Sequence, residues 1–399
     1  MKQVQFEEVL REPIRNGLTK PKAIRGSGVK MISMGEIFAH NRISKIAMDR
    51  VPVTDKEFLN CSIKAGDLLF ARQSLVLDGA GKCSIVTEVT EDTVFESHLI
   101  RARINGKKAN PYFLYYYFNS HEGRENIKTI VEQVAAAGIR GSDLIKLWIP
   151  CPDIDIQNQV VSILDAIDRK IELNRKVNDN LLAQAQTIKK QWVATNEAGY
   201  EMLLLAEVAT INPDTYSPKE AWEFVNYLDT SSITDGFVAN IQHIVPSSEK
   251  LPSRARRKVA AGDVLFSTVR PNQNHFGIIS DPLPNMLVST GFADIRSKTP
   301  LVCNELIYLC LTEGDFIEKM QQLAEQSTST FPSIKPSDLG ACQIPCPKDE
   351  SSNVFNDTLK TLFSLIAANF RENNSLGAMR DALLPKLMSG EIDVSAVKL

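Results

Sequence analysis

The chain has 399 residues, 43% hydrophobic and 23% charged, which is enough for two domains with real cores plus connecting structure. No apolar run reaches membrane-spanning length, and the opening MKQVQFEEVLREP carries acids where a signal peptide needs an apolar stretch, so a soluble cytoplasmic protein is expected. The net charge of −3 excludes any general electrostatic argument for a polyanion partner. Split by segment, residues 1–153 carry 22 Lys+Arg against 18 Asp+Glu, residues 154–198 carry 6 against 6, residues 199–348 carry 12 against 17, and residues 349–399 carry 5 against 7. Any phosphate contact must therefore come from local patches or from partner subunits.

In chain order, residues 1–153 alternate short β-type runs (Leu68–Ala71, Cys83–Val89, Leu99–Ile104) with turn signals, interrupted by helical patches at Pro111–Ser120 and Arg124–Ala136. This reads as a mixed α/β globule closed by Pro150-Cys151-Pro152. From Val160 an apolar stripe follows, at Val160, Leu164, Ile167, Ile171, Asn174, Asn178, Leu181, Ala185, Ile188 and Trp192, a heptad seam stepping by four and three. Residues 154–198 are thus expected to form one long helix, on the order of 50–65 Å at 1.5 Å per residue.

Residues 199–348 repeat the first globule, with β-type runs at Val264–Val269, Gly277–Ser280 and Ala293–Ile295 and a helical patch at Cys303–Gln326. Three landmarks recur about 195 residues on: Ala65-Gly-Asp-Leu-Leu-Phe70 as Ala261-Gly-Asp-Val-Leu-Phe266, Ser142-Asp-Leu144 as Ser337-Asp-Leu339, and Ile149-Pro-Cys-Pro152 as Ile344-Pro-Cys-Pro347. Residues 349–399 then repeat the helix, with a seam of Phe355, Leu359, Leu362, Ile366, Asn369, Asn373, Leu376, Arg380, Leu383 and Leu387. Pro385 is expected to break or kink it.

Paired asparagines interrupt both seams at equivalent places, where buried polar groups fix register. An antiparallel pairing lets Asn174 face Asn373 and Asn178 face Asn369, with Ile167, Ile171, Leu181, Ile366 and Leu376 around them. The alternative is two separate helices, each packing on its own globule. The favoured fold is α+β: two mixed α/β domains joined by two long antiparallel coiled-coil helices with pseudo-twofold symmetry. Two similar globules on a stiff spacer make a ruler, suited to unlike half-sites on a duplex.

The segment Ile149-Pro-Cys-Pro…Gln157…Val160…Leu164-Asp-Ala-Ile-Asp-Arg-Lys-Ile-Glu-Leu-Asn-Arg175 resembles the central region of type I restriction–modification specificity subunits. Leu383-Leu-Pro-Lys-Leu-Met-Ser-Gly-Glu-Ile392 is similar to that family's ending, and the strands opening on Gly66-Asp67 and Gly262-Asp263 are similar to its strand motifs. One departure is Ser364–Arg371, which lacks the acidic–basic pattern of Asp168–Glu172. The resemblance implies a non-catalytic subunit with two target-recognition domains that read a bipartite, asymmetric site on double-stranded DNA. It also implies helices that dock two modification subunits, with S-adenosylmethionine there and with ATP and Mg on a restriction–translocase subunit. A coiled-coil scaffold binding proteins rather than DNA is the competing reading.

Base-edge readout needs Arg for guanine and Asn or Gln for adenine. Equivalent loops after the Gly-Asp strands supply Arg72, Gln73 and Ser74 in one half and Arg270, Asn272, Gln273, Asn274 and His275 in the other. A second pair precedes Ser-Asp-Leu: Ala137–Ser142, with Arg140 and Ser142, and Thr328–Lys335, with Lys335; either suits a phosphate or a helix cap at Ser142 and Ser337. Arg254, Arg256, Arg257 and Lys258 form the densest basic cluster and are candidates for phosphate binding, with a solvated loop or a partner contact as the alternatives; Lys20, Lys22, Arg25 and Lys30 form a looser group of the same kind.

Catalytic motifs fail in detail. Asn110-Pro111-Tyr112-Phe113 lacks the second proline of an amino-methyltransferase motif and fits a helix start, and Gly79-Ala-Gly-Lys-Cys83 lacks the earlier glycine of a phosphate loop and fits a turn. The seven cysteines have no zinc spacing and read as buried thiols. The five histidines show no catalytic spacing.

Overall fold

The computed structural model describes residues 2–133, 137–327 and 331–394 and divides the chain into two contact-dense units. The first is Met1–Ile171 with Asn373–Leu399; the second is Glu172–Glu372. Both helical segments, 154–198 and 349–399, are therefore shared between the units. Each unit is α+β.

In the first unit the repeated Gly-Asp landmark is a structural clamp. Gly66 has φ +87°, which a side chain would strain, and Lys64 N–H donates to Asp67 Oδ2 at 2.8 Å. Arg103 grips the buried Asp67 carboxylate with Nε and Nη2, both at 2.7 Å. This bidentate pair fixes Asp67–Ala71 against Leu99–Arg103, the centre of a five-stranded sheet ordered Arg15–Asn16, Leu99–Arg103, Asp67–Ala71, Cys83–Val86, Arg42–Ile43. A second sheet pairs Val29–Ile32 in parallel with Thr93–Phe95. Phe6, Phe70 and Phe118 meet edge to face at 5.0–6.0 Å in the core. Helix Pro111–Asn119 is buried at every residue from Phe113 to Phe118, because it lies in the core shared by the sheet and by Val160, Leu164, Leu384 and Leu387 of the long helices.

The second unit rebuilds the same plan. Gly262 has φ +88°, Ala260 N–H donates to Asp263 Oδ2 at 2.6 Å, and Arg296 holds Asp263 at 2.7 and 2.8 Å. Asp263–Ser267 lies between Phe276–Ile279 and Phe292–Ser297, and Val225–Leu228 pairs in parallel with Met286–Ser289. The Pro-x-Pro landmarks also correspond: Trp148–Pro150 pairs with Gln3–Gln5, and Gln343–Pro347 with Tyr200–Leu204.

The long helices run Ile154–Thr195 (42 residues) and Asn353–Ser389 (37 residues). At 1.5 Å per residue they measure about 63 and 55 Å. No residue of either predicted seam is exposed. Within the first unit Arg380 Nη1 donates to Asp168 Oδ1 at 2.9 Å. Within the second, Asn369 Nδ2 donates to Asn178 Oδ1 at 2.7 Å and Trp192 stacks on Phe355 at 4.4 Å, an antiparallel order. Asn174 Nδ2 donates to Glu372 Oε2 at 2.6 Å. Ile167 and Ile171 are buried; Leu181, Ile366, Asn373 and Leu376 are half-buried.

Three helical expectations need correction. The helix is not broken at Pro385 but runs on to Ser389: the proline forfeits one bond to the carbonyl four residues back, while Leu384, Leu387 and Met388 anchor that turn in the core. The patch expected at Arg124–Ala136 is helical only over His121–Lys128; Glu132–Gln133 is a strand, and residues 134–136 lie outside the described residues. The Cys303–Gln326 patch is two helices, Asn304–Leu311 and Gly314–Glu325, parted where Thr312 turns its hydroxyl back to Tyr308 O at 2.8 Å.

Candidate nucleic-acid interface

Backbone pairing joins the two candidate loops of each half into one edge. In the first unit Gln73–Ser74 pairs with Ala137–Gly138, and Ile139 N–H donates to Arg72 O at 2.9 Å. In the second unit Val269 bridges Ser333, Arg270 N–H donates to Pro332 O at 2.9 Å, and Ile334 N–H donates to Thr268 O at 2.9 Å. The same scaffold position thus carries a reading loop and its support in both halves.

The side chains on these edges differ. Arg72 is exposed and makes no ion pair among the described residues, and exposed Gln73 has Oε1 3.2 Å from His98 Nδ1. Arg140 is exposed and paired with Glu132 at 2.6 Å. Ser74 turns inward, accepting from Val76 N–H at 3.2 Å. In the second unit Arg270 takes a left-handed backbone (φ 48°) and lays its guanidinium over Phe331, 4.7 Å from the ring centroid. A non-glycine residue held there points to a position fixed by its surroundings. Asn272 and Gln273 are exposed on the short turn Pro271–Gln273, while Asn274, also left-handed, is half-buried. His275 is occupied by Ile233 O, 2.6 Å from its Nδ1.

The helix starts behave otherwise than expected. Arg140 and Lys335, not Ser142 and Ser337, stand at the cap positions of Gly141–Leu144 and Pro336–Gly340, and Lys335 N–H donates to Asp338 Oδ2 at 2.7 Å. Single turns of four and five residues have little dipole to offer a phosphate. Residues Thr328, Ser329 and Thr330 of the predicted loop lie outside the described residues.

The basic cluster is a strand, Ala255–Lys258, rather than a loop, and its pleat divides the charges between two faces. Lys258 pairs with Glu220 at 2.5 Å and lies 5.3 Å from the Trp222 ring centroid. Arg257 is half-buried, its charged form disfavoured by burial and favoured by nearby Asp294. Arg256 Nε donates to Ser253 O at 3.3 Å, and Arg254 is the exposed member. Three of the four in the looser N-terminal group are similarly occupied: Lys20 binds Glu57, Arg25 binds Asp49 and Lys30 binds Glu91, while Lys22 is exposed.

The catalytic look-alikes serve the fold. Asn110 Oδ1 accepts from Tyr112 N–H at 2.8 Å and caps helix Pro111–Asn119. Gly81 has φ +68° in a turn leading into Cys83–Val86. Among the described residues no group of His, Cys, Asp and Glu is arranged to hold a metal ion, and no helix is long and apolar enough to cross a membrane. Five of the free cysteines are buried and two half-buried, and desolvation raises every thiol pKa. Sequence reasoning missed Phe331 and the exposed Leu75-Val76-Leu77, apolar residues whose only signal was their place in a loop.

Residues 14–183 match the family model of the type I restriction modification DNA specificity domain, and the second half repeats the central strand pairings of that span. Over that span the chain is similar to the DNA specificity domain of type I restriction–modification systems. It is 26% identical over 165 residues to the HindI specificity subunit of Haemophilus influenzae, covering 41% of this chain and 36% of that protein. It is 23% identical to the MjaIX specificity subunit of Methanocaldococcus jannaschii, covering 94% of this chain and 89% of that one. In fold it is similar to the crystal structure of the type I S subunit from M. genitalium, with a TM-score of 0.55, 14% identity, and coverage of 97% and 95%.

Proposed function

We propose that this chain reads a bipartite, asymmetric target on double-stranded DNA, one half-site with each composite edge, for a type I complex whose chemistry lies on other subunits. The observation that carries this reading is the recurrence of one edge in both halves, with an arginine on each and different neighbours around it. A common scaffold with unlike surfaces is what two unlike half-sites require. Arg72 and Arg270 suit guanine, and Gln73, Asn272 and Gln273 suit adenine. The paired helices act as spacer and dock two modification subunits; S-adenosylmethionine on those subunits supports adenine-N6 methylation, and ATP and Mg belong to a restriction–translocase subunit. The site of action is the cytoplasm. No observation favours a protein-binding scaffold.

Co-expression with its modification subunits, followed by mapping of N6-methyladenine, tests the reading. One interrupted, asymmetric motif is expected. Arg72→Ala should relax the first half-site only and Arg270→Ala the second only, each by about 1–3 kcal/mol of discrimination. Loss of both half-sites from either substitution, or an unchanged motif, overturns it.

A further inference from the structure

We propose that the apolar tip Leu75-Val76-Leu77 is a wedge that enters the base stack at the first half-site and kinks the duplex, an inference that rests on the DNA-reading function above. Leu75 is 97% exposed and Val76 63%, and Leu77 and Phe38 are exposed beside them. Apolar side chains that mobile chain could tuck away are here held outward. Arg124 Nη2 donates from below to Asp78 O at 2.7 Å and to Ala80 O at 3.0 Å, and Val76 N–H donates to Ser74 Oγ. Gly79 closes the turn, since a Cβ there would collide with Ser74.

The surroundings fit a polyanion with an apolar interior. The reading strand Gln73–Ser74 leads directly into the tip and follows exposed Arg72, which makes no ion pair among the described residues. Lys82 donates to Phe38 O at 2.9 Å and lies 5.3 Å from its ring centroid, and Arg124 underlies the loop. Cations that hold phosphates beside branched aliphatic groups that reach a base step are how DNA-bending proteins unstack a duplex. The equivalent turn of the second unit, Pro271–Gln273, ends in polar residues, and its apolar neighbour Phe331 lies beneath Arg270. A kink is therefore expected at the first half-site alone.

The test uses the assembled methyltransferase complex on target duplexes carrying 2-aminopurine at successive steps of both half-sites, with a footprint recorded in parallel. With the methylated adenines and their immediate neighbours left unlabelled, because a methyltransferase takes its target base out of the stack, the expected result is a several-fold fluorescence rise at one step of the first half-site and none in the second. Leu75→Ala with Val76→Ala should abolish that rise and weaken binding about tenfold, while the footprint keeps its boundaries. Leu59→Ala, at another highly exposed leucine, serves as the control and should change neither. A footprint on both half-sites without any bright step overturns the wedge and leaves the reading function standing; absence of a footprint overturns both. Failure of the double variant to assemble with modification subunits would assign the tip to a protein contact and overturn the wedge.

Discussion

At one register of the central sheet the two units bury opposite charges. Arg101 lies opposite Leu69 in the first unit, and Asp294 lies opposite the equivalent Leu265 in the second. Arg101 is 2% exposed, donating to Ser62 O at 2.6 Å and Glu12 at 2.7 Å; Asp294 is fully buried, and neither of its carboxylate oxygens accepts from a donor among the described residues. Two residues on, the Asp67–Arg103 clamp and the Asp263–Arg296 clamp are the same. The repeat therefore preserves the group that fixes strand register and lets its neighbour change sign, provided local partners compensate. In the second unit compensation is incomplete: burial, and then the charge of Asp263, push the Asp294 carboxyl up to about 8.

The helix packing differs as well. In the first unit Asp168 accepts from Tyr116 Oη at 2.8 Å and Arg380 at 2.9 Å, and Arg42 pairs with Asp165 at 2.8 Å. In the second, stacked Trp192 and Phe355 take the helix crossing, and a cavity of about 100 Å³ lies beside Ala367, Tyr308 and Phe363. One unit spends buried ions where the other uses aromatic area and leaves a void.

The contrast can be broken most forcefully at Asp168. Asp168→Ala leaves buried cations and a tyrosine hydroxyl uncompensated and should cost the first unit about 3–5 kcal/mol. Hydrogen exchange under denaturant reads each unit separately; an equal loss in the second unit defeats the idea that this network is local. Next in size is the pair Asn178–Asn369. Asn178→Ala should cost about 1–3 kcal/mol by stranding an amide, whereas Asn178→Leu with Asn369→Leu should fall within about 1 kcal/mol of the parent. A double-mutant cycle measures the coupling, and additive losses would remove the pair from the account.

Asp294 gives the comparison a pH axis. Its folded pKa lies above the unfolded value, so the folded unit holds this proton more tightly, and stability should fall as pH rises from about 4 to about 8 and level off above. Asp294→Asn should flatten that part of the unfolding profile in the second unit, while Arg101→Met leaves it intact. A profile unchanged by the asparagine contradicts the assignment. The smallest effect belongs to the cavity: Ala367→Leu should fill it and add about 1 kcal/mol to the second unit. A destabilised variant, by thermal unfolding, would show that the void does not admit a side chain.

Much of the architecture was legible because it is periodic. The heptad steps identified both long helices and their inward faces, the recurring Gly-Asp and Pro-x-Pro landmarks located equivalent strands, and Ser-Asp-Leu located equivalent short helices. Errors fell where a local signal competes with packing. Pro385 is a helix breaker by propensity, yet the anchored Leu384, Leu387 and Met388 carry the helix through it. Arg254–Lys258 looks like one charged patch in sequence, but strand pleating and partners from distant segments divide it.

The sequence by itself determined the repeat, the paired helical seams and the residue types available for base readout, because periodicity and composition act over neighbouring positions. Only the tertiary structure decided that loops some 65 residues apart form one edge in each half. It also decided that a buried arginine and a buried aspartate occupy equivalent strand positions, and that Leu75 and Val76 are held out in solvent. Strand register and burial depend on partners far away in the chain, and no local pattern records them.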